Sequence, residues 1–130
     1  MGQEKNRSSR SESDFEVIDT PEALVEFTGQ VNHIEMMAVD LEADSMFHYQ
    51  EKVCLLQVAA NGRHVVIDPL KLNDLSALKP MFEDAAILKV FHGADYDVRS
   101  LYRDFGIVIR NLFDTQLACM YLGYKEPGLD

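Results

Sequence analysis

Apolar and polar positions along the chain recur with two periods, and together they set out a series of strands and helices. Phe15 to Ile18 is a short apolar run that predicts a strand. Thr20-Pro21-Glu22 supplies a helix N-cap, a proline at the first helical position and an acid in the first turn. Leu24, Phe27, Thr28 and Val31 then fall at i, i+3, i+4 and i+7, a mostly apolar helix face. Met36 to Leu41 predicts the next strand, and Lys52 to Ala59, rich in β-formers, another. Asn61-Gly62 follows at once, a strong hairpin signal that makes Arg63 to Ile67 the antiparallel partner, closed by Asp68-Pro69. A short helix, interrupted by Pro80, is expected over Asp74 to Phe82.

The second half has the same alternation of elements. Ala86 to Phe91 predicts a strand and Asp95 to Phe105 a helix, with Val98, Leu101, Tyr102 and Phe105 as its apolar face. Ile107 to Ile109 is expected as a brief strand. Asp114-Thr115 starts a last helix with Leu117, Met120 and Tyr121 as its stripe. A meander of strands followed by strand–helix–strand–helix gives an α/β fold with a mixed sheet.

Composition narrows the function. At 130 residues, 47% of them apolar, the chain has room for one domain with a core of its own. Residues 1–14 contain no aliphatic or aromatic residue after Met1 and read as a disordered tail. Lys5, Arg7 and Arg10 balance Glu4, Glu12 and Asp14 there, so the net charge of −10 belongs to residues 15–130. That charge excludes a protein that holds nucleic acid by a broad basic surface, but not an enzyme that handles it through metal ions. Cys54 and Cys119 stand far apart in apolar stretches and are expected as buried, reduced thiols. No apolar run approaches a membrane span, and a cytoplasmic location is expected.

Two stretches could carry chemistry. Asp40 and Glu42 lie two apart in a predicted strand, so their carboxylates point to the same face beside otherwise apolar neighbours. Such a pair repels and loses hydration, and a divalent cation with a taste for hard oxygen ligands relieves both costs. A solvated strand end is the plain alternative. The second stretch, His92-Gly93-Ala94-Asp95-Tyr96-Asp97, lies between an apolar strand and a helix, where α/β folds put ligand sites. Asp95 is expected as the N-cap of that helix. Asp97 directly precedes the core position Val98 and is expected at the helix–sheet boundary. Asp114 reads as a helix N-cap rather than a metal ligand. His48 and Tyr49 lie in the loop after Glu42, where they could meet a substrate or be plain loop residues.

V-D-L-E at 39–42, V-C-L-L-Q-V at 53–58, V-I-D-P-L at 66–70, H-G-A-D-Y-D-V-R-S-L at 92–101 and F-D-T at 113–115 form an ordered series. Together they resemble the DEDD family of 3′–5′ exonucleases, in its ribonuclease D and exosome catalytic subunit branch. The resemblance covers residues 15–130. It implies a ribonuclease H-like fold, a mixed sheet flanked by helices and incomplete at its C-terminus. It also implies two-metal hydrolysis of RNA phosphodiesters from the 3′ end with two Mg²⁺ or Mn²⁺ ions, with DNA as a second substrate class. On the matching positions, Asp40, Glu42 and Asp97 become metal ligands and catalytic acids. Ala43 contacts the terminal ribose through its backbone, Met46 wedges against the terminal base, and His92 and Tyr96 touch the nucleotide.

The family also needs a third motif, Tyr-x-x-x-Asp or His-x-x-x-Asp, on a later helix. The chain ends at Asp130 before one appears; Glu126 and Asp130 lack the partner Tyr or His. His64 to Asp68 has the spacing but precedes the second motif on a predicted strand, and is rejected. The chain is thus expected to be an N-terminal portion of an exonuclease domain, weak or inactive at 130 residues. An uncovered sheet face and self-association through it are expected with that. Two other readings stand beside this one. One is a catalytically inactive module of the same fold binding RNA or a protein partner. The other is a haloacid dehalogenase-like phosphatase, disfavoured because position 42 is Glu and position 44 Asp.

Overall fold

The computed structural model describes residues 15–31, 33–44 and 51–123. Met46, His48, Tyr49, Glu126, Asp130 and the tail lie outside the described residues. Six strands form one sheet: β1 (Phe15–Ile18), β2 (Met36–Asp44), β3 (Lys52–Ala60), β4 (Arg63–Ile67), β5 (Leu88–Phe91) and β6 (Leu112–Asp114). Their spatial order is β1-β4-β3-β2-β5-β6. β3 pairs antiparallel with both β2 and β4, while β1–β4, β2–β5 and β5–β6 are parallel. β3 alone therefore runs against the other five. The expected α/β class and mixed sheet are what the chain forms, with the meander at its centre.

Strand alternation sorts the residues into faces. On β2, Met37, Val39 and Leu41 are buried, while Met36, Ala38, Asp40 and Glu42 are exposed. On β3, Val53 breaks the step of two that Leu56, Val58 and Ala60 keep, yet all four are buried. A slip in the ladder between Glu42 and Ala43 makes this workable, because it inserts one extra residue, Cys54, into β3. The covered face carries α1 (Pro21–Gln30), α3 (Lys79–Glu83, entered through a 3₁₀ turn at Ser76–Leu78) and α4 (Ala94–Phe105). Leu24, Phe27, Leu56, Ile67, Leu78, Phe82, Leu101 and Ile107 pack there in a single core. Two short helices, α2 (Pro69–Leu72) and α5 (Thr115–Tyr121), complete the elements. Among the described residues no helix is long and apolar enough to cross a membrane.

Local signals explain most boundaries. The Thr20 hydroxyl accepts from the Ala23 N–H, and Pro21 opens α1. Asn61 and Gly62 both sit at positive φ, 51° and 74°, as a two-residue hairpin that follows the strand twist requires. Asp68 caps α2 through the Leu70 and Lys71 N–H groups, so the His64 to Asp68 spacing joins a strand residue to a helix cap. Lys89, fully buried on β5, donates its Nζ to the carbonyls of Asp84 and Arg110, and burial pulls its pKa down.

Several expectations are corrected. Pro80 starts α3 rather than interrupting a longer helix, since a proline in the first turn displaces no hydrogen bond. Ile107 to Ile109 is not a strand; the third parallel strand is Leu112–Asp114, paired to β5, and Ile107 packs into the core instead. Tyr102 is exposed, because the buried face of α4 runs through Ala94, Asp97, Ser100 and Leu101. The stripe of α5 is exposed as well, with Leu117 at 62%, Met120 at 57% and Tyr121 at 93%. Cys54 and Cys119 are free thiols, as expected, but only half-buried.

Replacing Gly62 by Ala is expected to cost about 1–2 kcal/mol in urea unfolding, because a Cβ disfavours its positive φ. Gly62→Asn should cost clearly less, asparagine tolerating that region best among side-chain-bearing residues. Equal losses for the two variants would contradict this account of the turn.

Candidate functional site

The chain runs from β2 to β3 and β4 on one side, and reaches β5 and β6 on the other. The order therefore reverses beside β2, and in open α/β sheets ligands bind at such a point, beyond the carboxyl ends of the strands. Asp40 and Glu42 lie towards that end of β2, His92 and Gly93 directly follow β5, and Asp114 ends β6. A cavity of about 660 Å³ opens on the exposed sheet face there, lined by Asp40, Gln57, Val66, Val90, His92 and Thr115 among others.

Asp97 is the buried acid of the site. It lies on the inward face of α4 and is 8% exposed. Burial first, then the nearby charges of Asp40 and Asp114, push its pKa from 3.8 up to about 6. Its expected place at the helix–sheet boundary is thus where the structure has it, near enough to Asp40 of β2 to feel its charge.

Asp114 is held differently. It caps α5 through the Gln116 and Leu117 N–H groups. It also accepts from Gly93 N–H at 2.9 Å and Ala94 N–H at 2.7 Å, at the start of α4. Burial pushes its pKa up, but the four N–H bonds outweigh this and hold it below the ordinary carboxylate range. One carboxylate thus ties two helix N-termini together. This corrects Asp95 as the N-cap of α4: the cap position is Gly93, at φ 74°, and Asp95 points out to pair with Arg99. The spare donors that would have drawn Asp95 into a cap are met by a residue from another strand.

The remaining candidates divide. Thr115 gives its single hydroxyl hydrogen to the Phe91 carbonyl at 3.0 Å. The 2.9 Å contact between His92 Nδ1 and the Thr115 hydroxyl oxygen must then be donated by the ring, which places a proton on Nδ1. His92 shares the cavity with Asp40. Tyr96 instead turns its hydroxyl to Glu51 near the start of β3, and that bond raises its pKa. Ala43 is half-buried at the slip in the ladder. Thr115, Glu51 and the second role of Asp114 were missed by sequence reasoning. Only the reading of Asp114-Thr115 as a helix start pointed to any of them.

The carboxylates suit a divalent cation chemically: hard oxygen donors, one of them raised in pKa by burial and then by its acidic neighbours. Asp114 has committed its oxygens to backbone N–H groups and is a framework residue rather than a donor. Among the described residues, no three His, Cys, Asp or Glu side chains stand close enough together to hold one ion.

The 3′–5′ exonuclease family model matches residues 15–130. The chain belongs to the 3′–5′ exonuclease family. This exonuclease-family chain is 40% identical over 114 residues to the Exosome complex component 10 homolog of Caenorhabditis elegans, which covers 87% of the chain and 13% of that protein. Its fold matches the catalytic core of RRP6 from Trypanosoma brucei with TM-score 0.81 and 37% identity, over 84% of this chain and 31% of that one. For Escherichia coli RNase D, described as an exoribonuclease involved in structured RNA processing, the TM-score is 0.79 at 28% identity, over 85% and 30%. The chain thus spans well under a fifth of the C. elegans relative and under a third of the two solved structures. The ribonuclease D-like core is shared, and the exonuclease family is metal-dependent.

A folded pKa raised above the unfolded 3.8 means that ionised Asp97 opposes folding. The penalty is absent below 3.8, grows up to about 6 and is full above that. In EDTA at pH 7.5, Asp97→Asn should therefore stabilise the chain by about 1–2 kcal/mol, after allowance for solvent screening, and by nothing at pH 3.5. A urea unfolding series over this pH range measures it, and a destabilised variant at pH 7.5 would refute it.

Proposed function

We propose that this chain carries the first three catalytic acids of a metal-dependent 3′–5′ exoribonuclease. The observation that supports this most is the juxtaposition of buried Asp97 and exposed Asp40 at the sheet's switch point, within an exonuclease-family chain. Asp40, Glu42 and Asp97 are the residues that would hold two divalent cations, Mg²⁺ or Mn²⁺. When bound, such ions lower the pKa of a water nucleophile and stabilise the leaving 3′ oxygen.

The chain's own residues do the rest. Burial and the neighbouring carboxylates raise the pKa of Asp97, and a positive charge beside it would draw that pKa back down and favour the ionised carboxylate that can act as a ligand. His92, its ring fixed through Thr115, faces the nucleotide from the cavity wall. Tyr96, the Ala43 backbone and Met46 are the further substrate contacts of this reading. Few phosphates are gripped, so a chain of net charge −10 binds its polyanion locally and with a shallow salt dependence. RNA is favoured over DNA because the relatives are named as exosome components and RNase D.

One observation favours a second reading, that of a catalytically inactive module binding RNA or a protein partner. The three acids do not converge tightly enough to cage an ion among the described residues.

The test is shortening of a 5′-labelled single-stranded RNA with Mg²⁺, Mn²⁺ or EDTA, by this chain and by Asp40→Ala. Metal-dependent loss of nucleotides from the 3′ end is expected, falling by at least about a hundredfold in the variant. RNA that binds but stays intact under every condition, with this chain and with one extended past Asp130, would favour the inactive module instead.

A further inference from the structure

Glu42 stands where the ladder between β2 and β3 slips. Leu41 faces Leu56 and Glu42 faces Leu55, but Ala43 faces Val53, leaving Cys54 as the extra residue. A bulge re-aims the side chains beside it, and this one falls on the second acid of the site. Two contacts fasten it. The Cys54 thiol donates to the Glu42 carbonyl at 3.4 Å. The Val53 N–H donates to Asp104 Oδ2 at 2.8 Å.

Asp104 follows Asp97 by seven residues on α4, so both carboxylates lie on one side of the helix, two turns apart. The helix that presents Asp97 to Asp40 therefore also grips the strand pair that presents Asp40 and Glu42. Asp104 is itself well fixed. Its side chain is 16% exposed, and Arg103 reaches both of its oxygens, at 2.7 and 3.2 Å. Burial raises its pKa, but the Arg103 and Val53 hydrogen bonds hold it below the ordinary range, so Val53 donates to a charged acceptor. Tyr96 adds a second clasp to the same end of the strand pair through Glu51.

We infer that Asp104 is a positioning residue of the acidic site: by holding Val53 it fixes the bulge, and with it the placement of Glu42 relative to Asp97. This rests on the reading of Asp40, Glu42 and Asp97 as cation ligands. Asp104 touches neither cation nor substrate and acts through the β3 backbone. Asparagine at this position keeps an oxygen for the Val53 N–H, whereas alanine leaves that donor unanswered.

The experiment is calorimetric titration of Mn²⁺ into the 130-residue chain without RNA, for the wild type, Asp104→Ala and Asp104→Asn, each shown to be folded by circular dichroism. Asp104→Ala should weaken Mn²⁺ binding about tenfold, while Asp104→Asn stays within about threefold of the wild type. In the RNA assay, kcat should fall in Asp104→Ala with KM kept. If Asp104→Ala does not fold, Asp104→Glu, which moves the carboxylate by one methylene, takes its place with the same expectation. A folded variant with a lowered melting temperature but wild-type Mn²⁺ affinity would overturn the positioning role and leave the functional reading standing. A wild type that neither binds Mn²⁺ nor shortens RNA would overturn both.

Discussion

Mutual repulsion among carboxylates is the constraint around which one end of this sheet is built. Asp40, Asp97 and Asp114 come from β2, α4 and β6, and bringing them near one another in partly buried surroundings is costly. Each is accommodated in its own way. Asp40 stays on the exposed face. Asp114 is surrounded by four backbone N–H groups, two from the start of α4 and two from α5. Asp97 has neither remedy and is left with a pKa of about 6. A buried acid kept in such a state serves no packing purpose that an apolar residue would not serve better, and this sets it apart from Asp114, the other buried acid among the described residues.

The frame that imposes this arrangement is apolar and ordinary. α1, α3 and α4 cover one face of the sheet, and the large side chains of Phe27, Phe82, Phe91 and Leu101 fill the space between. Arg63 reinforces the far edge, bonding Glu16 of β1 through Nε and Nη2 and lying 5.3 Å over the Phe27 ring. With that edge fixed, the other face is free to carry polar chemistry beside an apolar floor. His92 and Thr115 lie on it together, hydrogen-bonded to each other, and the bond from the Thr115 hydroxyl to the Phe91 carbonyl joins β5 to the first turn of α5.

Much of this was legible in the sequence, because the signals involved are short-ranged. The alternation from Met36 to Glu42 puts both acids on one face without reference to any other strand. Thr20-Pro21 and Asn61-Gly62 declare a cap and a turn through chemistry confined to two or three residues. What sequence reasoning missed depends on distant partners. Asp95 looks like a cap until Asp114, from another strand, supplies the acceptor. Tyr102 looks like part of an apolar stripe because a hydrophobic pattern cannot reveal that the helix is rotated to bury Asp97 and Ser100 instead. The bulge at Cys54 is written only faintly, as a step of three between Val53 and Leu56 in a strand that otherwise steps by two. Leu117, Met120 and Tyr121 have the right spacing for a buried face, and spacing carries no information about whether a partner is there to cover it.

The connectivity of the sheet also implies an order of assembly. β2, β3 and β4 join by short connections, so their ladders close at little entropic cost and early. The bonds that complete the site span far more chain: Val53 to Asp104 is 51 positions, and Glu51 to Tyr96 is 45. Asp40 and Glu42 are thus still hydrated on a preformed apolar meander when α4 arrives, and the burial of Leu101 and Ala94 offsets the cost of setting Asp97 against them.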